Sequence, residues 1–222
     1  NNHIIYTDYD GYRQIVGIQN VEQLHKEMSG FYIRRRKEDV IPDMPDKYYT
    51  EIYVDLHPQQ RKAYNQMKND MIAWIGEHEH EPLVAPVVIA QLIRLQQFAC
   101  AYVEFDEDGK ARLSDPSSKI DTVVDLIQST AGQVVVFSQF SQAINLLSKH
   151  LAAKGIIHGV YTGDTTATRR NDIIEGFQDG RIKVFVGTIG AGGVGITLTA
   201  ASTLIFIDRS WSPGDNRQAQ DR

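Results

Sequence analysis

From about Leu113 onward, short β-branched runs alternate with segments of helical spacing, and this alternation narrows the fold to a parallel sheet with helices between its strands. A Ser-x-x-Asp pattern at Ser118 reads as the cap of a helix whose Ile120, Val123, Val124 and Ile127 recur on one face, with Gly132 closing the segment. Val134–Phe137 is then a buried strand. Ser141 stands where a cap is expected for the next helix, Ile144, Leu147 and Leu151 share a face, and Gly155 marks its stop. Val160–Thr162 reads as a strand. Thr165–Phe177 is a further helix with Ile173, Ile174 and Phe177 inward and Gly180 at its end, and Lys183–Val186 and Thr203–Ile207 supply two more strands. The expected fold class is therefore α/β, a parallel sheet of four or more strands flanked by helices.

Upstream the pattern changes. Glu51–Leu56 alternates like a half-exposed strand, and Pro58 opens a helix with Tyr64, Met67, Met71 and Ile75 on one stripe. A second helix is expected from about Pro86 to Ala101, so the sheet is preceded by a helical insertion. Asp106-Glu-Asp-Gly109 and Ser114-Asp-Pro-Ser117 read as a hinge between the two. The chain accordingly divides into residues 1–50, 51–112 and 113–222.

With 222 residues, 42% hydrophobic and 23% charged, the chain is long enough for a well-buried core. A net charge of -5 and a pI near 5.8 exclude coating of nucleic acid by bulk charge, so any such affinity has to come from locally placed donors. Cys100 is the only cysteine, which excludes disulfides and cysteine-rich metal sites within the chain and points to a reducing, intracellular compartment. The most hydrophobic stretch, Pro82–Tyr102, is interrupted by Gln91, Arg94, Gln96 and Gln97, the mark of a buried helix rather than a membrane span. His78 and His80 tempt a metal reading, but a spacing of two on a helix puts them on different faces, and no metal site is expected. Cys100 itself, in an apolar setting, is expected to be buried and inert. The chain opens on Asn1-Asn2 without Met and ends abruptly at Arg222, as expected of a piece of a longer polypeptide.

Gly190-Ala-Gly192-Gly-Val-Gly195 follows a strand and satisfies G-x-G-x-x-G, with Asp208 ending the next strand, so a dinucleotide site has to be weighed. Spacing opposes it. Seven residues, Ile196 to Ser202, separate the last glycine from the next strand, where a crossover with its helix takes at least about ten to twelve. Only fourteen residues follow Asp208, too few to complete such a fold. The glycines serve either a tight turn or the approach of backbone N–H groups to phosphate, together with the polar segment carrying Gln218 and Arg222.

Several ordered motifs carry a resemblance to the SWI/SNF-type helicase-like ATPases of helicase superfamily two, specifically to their second RecA-like lobe. Ser117-Ser-Lys119-Ile120 fits the start of that lobe, and Val134-Val-Val-Phe-Ser138-Gln139-Phe140 its Phe-Ser-Gln-aromatic strand end. Tyr161-Thr-Gly163 through Arg169-Arg170 to Phe177 is similar to its short glycine motif. Gly192 to Leu198, Asp208 to Pro213 and Gln218 to Arg222 resemble its last three signatures, with Thr197 and Ser212 standing where Asn is usual. Phe31 to Val40 and Pro45 to Lys47 are similar to the junction after the first lobe, Met44 replacing the usual Leu.

The resemblance implies a DNA-dependent ATPase that translocates on, or remodels, double-stranded DNA complexes. It implies ATP and Mg²⁺ between two lobes, held mainly by the first lobe of the same polypeptide. No G-x-x-x-x-G-K-[ST] occurs here, so the chain alone is expected to be inactive. Arg222 is the implied catalytic residue, and Gly193, Gly195, Gln218 and Arg222 the nucleotide contacts. Ser138, Gln139, Gly163, Thr188, Gly192, Gly193 and Trp211 are the implied DNA contacts, although Trp211 can equally pack on the core edge. A bacterial cytoplasm and a eukaryotic nucleus are both compatible. The competing reading is a non-catalytic DNA- or partner-binding module that keeps the lobe fold.

Overall fold

The computed structural model describes residues 4–9, 12–33, 35, 40, 46–77, 84–108, 111–192 and 195–221. They fall into two compact units, Asn1–Glu51 and Ile52–Arg222. In the first, β1 (Ile4–Tyr9) pairs antiparallel with β2 (Tyr12–Ile18), and helix α1 (Val21–Met28) follows. Asp10-Gly11 between two runs of β-branched and aromatic residues is a hairpin signal.

The second unit opens with two helices, α2 (Pro58–Glu77) and α3 (Val84–Cys100). Gln60, fully buried near the start of α2, donates from Nε2 to the carbonyl of Phe98 at 2.8 Å and ties the two helices together. A short hairpin then pairs β3 (Tyr102–Phe105) with β4 (Ala111–Ser114), and Phe98, Val103 and Ala111 bury against Ala63, Tyr64 and Met67. Asp106–Asp108, expected as part of a hinge, instead turns between the two strands of this hairpin. Ala111-Arg-Leu-Ser114 does alternate, but over the shortest run on which a strand can be read, and Tyr102–Phe105 does not alternate. Glu51–Leu56, expected as a strand, lies in no sheet. Alternation supplies the pattern of a strand, but a strand also needs a neighbouring ladder, and the edge strands of the main sheet take no partner from this segment.

The remaining elements are α4 (Ser118–Ser129), β5 (Gln133–Ser138), α5 (Ser141–Ala153), β6 (His158–Tyr161), α6 (Ala167–Gln178), β7 (Val184–Thr188), the single turn α7 (Ile189–Gly192), β8 (Ala201–Phe206) and α8 (Pro213–Gln220). Four strands form one all-parallel sheet in the order β6-β7-β5-β8. The strand period of two divides the core. Val134 and Val136 of β5 and Val184 and Val186 of β7 face a layer with Ile120, Val124, Ile144 and Leu147. Val135, Phe137 and Phe185 face the other way, toward Ile173, Phe177, Ile189, Ile196 and Leu198. Layers on both faces explain why β5 is apolar at every core position.

Two helix starts differ from expectation by one residue. Ser117, not Ser118, caps α4: its Oγ accepts from the Ile120 N–H at 3.2 Å. Ser141 is the first residue of α5 rather than its cap, and Phe140 in the cap position makes no side-chain bond. Gly155 and Gly180 end α5 and α6 at φ of 67° and 83°, the left-handed conformation that a helix stop requires. Among the described residues no helix is long and apolar enough to cross a membrane, and no group of three His, Cys, Asp or Glu could hold a metal. His78 and His80 lie outside the described residues.

The Ser117 hydroxyl also donates to the carbonyl of Cys100 at 2.6 Å, so one group caps α4 and fastens the end of α3 to the sheet layer. Replacing it by alanine is expected to cost about 1–3 kcal/mol, seen as a lower urea midpoint at unchanged slope. A midpoint equal to that of the native chain would show that this tether carries no stability.

Candidate functional site

All four strands run the same way, so their carboxyl ends lie along one edge of the sheet, and ligands of open parallel sheets sit beyond that edge. Register places Ser138 beside Thr188 and Tyr161 beside Gly187, while Phe137 pairs with Phe206. Read across the sheet, the residues at or just past the strand ends are Gly163, Thr188, Gln139 and then the Asp208–Trp211 loop. Four of the implied DNA contacts, far apart in sequence, thus share one edge.

Each loop of that edge is held by named partners. The Gly163 turn is fixed by Arg170, whose guanidinium donates to the carbonyls of Thr162 (3.1 Å) and Gly163 (3.2 Å) while lying 5.1 Å above the Tyr161 ring. Thr165 Oγ1 accepts from the Thr162 N–H at 2.9 Å, and Gly163 itself is exposed. On the opposite side Trp211 is 66% exposed and belongs to no buried core cluster.

Between them lies a buried carboxylate. Asp208 Oδ1 accepts from the Gln139 backbone N–H at 2.8 Å, and Oδ2 accepts from the Ser138 hydroxyl and from the Cys100 thiol at 3.4 Å. Lys119 Nζ donates to the neighbouring carbonyl of Ile207 at 3.3 Å. Gln96 on α3 accepts from Gln139 Nε2 at 2.6 Å and donates to the Arg209 carbonyl at 2.9 Å. Gln96, Lys119, Asp208, Arg209, Ser210 and Trp211 line a cleft of about 370 Å³. Burial holds the Asp208 carboxyl above the ordinary carboxylate range, opposed by its hydroxyl and amide donors. Burial, and then the charge of Asp208, push the Cys100 thiol well up, so it is a packed, unreactive group.

Two implied DNA contacts are buried. Ser138 is fully buried and its hydroxyl donates to Asp208, so in this structure it ties the end of the strand to the loop. Gly192 is also buried, and a Cβ placed there would stand 2.5 Å from the Phe137 ring, so the glycine answers a packing demand. Gly195, at φ 72°, is exposed and needs its glycine for the turn. Ala219 of α8 buries with Ile189, Ile196 and Leu198, which brings this helix, with Gln218 exposed on it, against the glycine turn. Gly193 and Arg222 lie outside the described residues. The helix after β7 is only the four residues of α7, which removes the dinucleotide alternative: there is no long helix to present its N-terminus to a pyrophosphate.

Asp208 yields a pH test. A carboxyl raised on folding lends stability that is complete below its unfolded value and is lost as the pH climbs through its folded value. Relative to Asp208→Asn, which does not titrate, the native chain should lose stability on going from about pH 4 to about pH 8. Urea midpoints of the two chains across that range check this, and a constant difference would mean that the carboxyl is not desolvated.

Comparison with known proteins gives two adjacent family matches: residues 118–222 match the helicase conserved C-terminal domain and residues 9–103 the SNF2-related domain. An uncharacterised ATP-dependent helicase of Mycoplasma genitalium is 28% identical over 92% of this chain and 20% of its own length. The chromatin structure-remodeling complex subunit snf21 of Schizosaccharomyces pombe is 27% identical over 91% of this chain and 18% of its own. This chain spans about a fifth of the length of such relatives. Among solved structures, the Sulfolobus solfataricus SWI2/SNF2 ATPase core in complex with dsDNA superposes with a TM-score of 0.65 at 24% identity, over 89% of this chain and 43% of that one. The C-terminal part of the Fun30 ATPase domain gives 0.63 at 20% identity over 77% of each chain. These likenesses show the expected α/β RecA-like fold. The two family matches, taken with the motif order and these relatives, place the chain in the SWI/SNF-type helicase-like family of helicase superfamily two.

Proposed function

We propose that this chain is the second motor lobe, with its preceding junction, of a DNA-dependent ATPase that translocates on or remodels complexes of duplex DNA. Residues 1–50 would be the junction after the first lobe, 51–112 the linking segment and helical insertion, and 113–222 the lobe. The observation that carries the reading is the shared carboxyl edge, with Gly163, Thr188, Gln139 and Trp211 in a row across it. Backbone N–H groups, a hydroxyl and a carboxamide suit phosphate oxygens, and they hold a strand without reading its sequence, as a translocase requires. An acidic chain can do this because such contacts rest on placed donors rather than on net charge. One relative is named an ATP-dependent helicase and another a remodeling-complex subunit, and the proposal extends that kind of activity to this chain.

ATP with Mg²⁺ supplies the free energy of the cycle. This chain has no phosphate-loop sequence, and its described residues hold no acidic cluster for the metal. Its residues fit only a completing face. Gly195 leaves the backbone of the turn open and Gln218 offers a carboxamide from the adjacent helix, while Gly193 is taken as a nucleotide contact from the resemblance alone. Arg222 is assigned to the charge that develops on the transferred phosphoryl group, a role worth roughly 10³ to 10⁵ in rate. The first lobe of the same polypeptide would hold the metal and most of the nucleotide.

The test is ATP hydrolysis by the full-length polypeptide without DNA, with single strands and with duplex. Duplex should stimulate hydrolysis strongly, and Arg222→Ala should lower the stimulated rate by at least about 10³-fold. Hydrolysis indifferent to DNA, or none, would leave a lobe fold retained for binding alone.

A further inference from the structure

The β5 and β8 ladder pairs Phe137 with Phe206 and adds one bond, from the Ile207 N–H to the Phe137 carbonyl, before the strands end. Beyond it, Gln139 and Arg209–Trp211 leave the sheet in separate loops. Asp208 links them from within, through the Gln139 N–H. Gln96 links them from outside, across 43 residues of sequence to Gln139 and 113 to Arg209. A carboxamide is suited to this, because one group carries both an acceptor and a donor. Here the acceptor takes the Gln139 amide and the donor takes the Arg209 carbonyl. The helix that carries it is itself fixed: Leu95 and Phe98 are buried, and the Phe98 carbonyl is held by Gln60.

We propose that Gln96 is a positioning residue for DNA engagement, through which the helical insertion sets the relative placement of Gln139 and the Arg209–Trp211 loop at the carboxyl edge. The inference rests on the proposed function, in which Gln139 and Trp211 face the duplex. Gln96 touches neither nucleotide nor DNA in this scheme. It acts through the two loops, so it should govern how much duplex is needed and leave the turnover of the saturated enzyme alone. A residue that only filled a half-buried rim would lower stability without that separation.

The experiment uses the full-length protein with Gln96→Leu and Gln96→Glu, each alone and combined with Gln139→Ala. For Gln96→Leu the duplex concentration giving half-maximal ATP hydrolysis should rise about tenfold, the worth of one lost hydrogen bond at the grip. The rate without DNA and the rate at saturating duplex should not change. Gln96→Glu keeps an acceptor for the Gln139 amide and loses the donor for the Arg209 carbonyl, so it should recover part of the loss. Combined with Gln139→Ala, Gln96→Leu should add less than its effect in the native background, because part of it already runs through Gln139. Unchanged half-saturation, or two losses that multiply in full, would overturn the proposal. Amide hydrogen exchange on the same proteins separates the two readings. Gln96→Leu should speed exchange at Gln139–Phe140 and Arg209–Trp211 and spare Thr188, whatever the hydrolysis assay gives. If the unaltered protein shows no duplex stimulation, the functional reading falls and the engagement role with it. Exchange that does not change in either loop overturns the positioning itself.

Discussion

The buried carboxylate of Asp208 is the constraint on which the site depends. Desolvating a charged group is costly unless it is hydrogen-bonded, and here acceptor and donors together come from three separate parts of the chain. Ser138 and Gln139 come from the end of β5, Cys100 from the end of α3, and Asp208 itself from the end of β8. The carboxylate can be buried only when all of these are in place. Two loops and a helix terminus are therefore assembled around one atom group, and the edge of the sheet inherits a single geometry.

The same economy runs through the rest of the edge. Arg170 spends its guanidinium on two carbonyls of the Gly163 turn, and Phe137 lies against the bare Cα of Gly192. Aromatic rings extend that packing: Phe137 meets Phe185 edge-on with centroids 6.1 Å apart, and Phe177 meets Phe185 at 5.8 Å. The glycine turn is thereby seated on the core, and the exposed groups beyond it stand on a rigid base.

The sheet and its helices were legible because their periods are clean: Val134–Phe137 is a continuous apolar run, and Ile120, Val123, Val124 and Ile127 repeat at helical spacing. Where reading failed, the missing information was tertiary. The β3–β4 hairpin shows its period only in the four residues Ala111–Ser114, and Glu51–Leu56 shows one without a ladder to join. Ser138 matched a motif, but its burial depends on Asp208, 70 residues away. Gln96 is the most telling case. In the sequence it only interrupts a hydrophobic stretch, while in the fold it spans two loops. Polar interruptions of an apolar helix were the available signal, and nothing in one chain says which of them is bound.

The parallel sheet has a mechanical side as well. A load applied to the loops at its carboxyl edge, by whatever they hold, is directed along the strands. Strand β5 is flanked by ladders of five paired positions with β7 and five with β8, whose bonds run across the line of pull. Such a load shears these bonds together instead of peeling them one at a time. Of the two inner strands, β5 has the longer ladders and is thus the one better braced against such a pull.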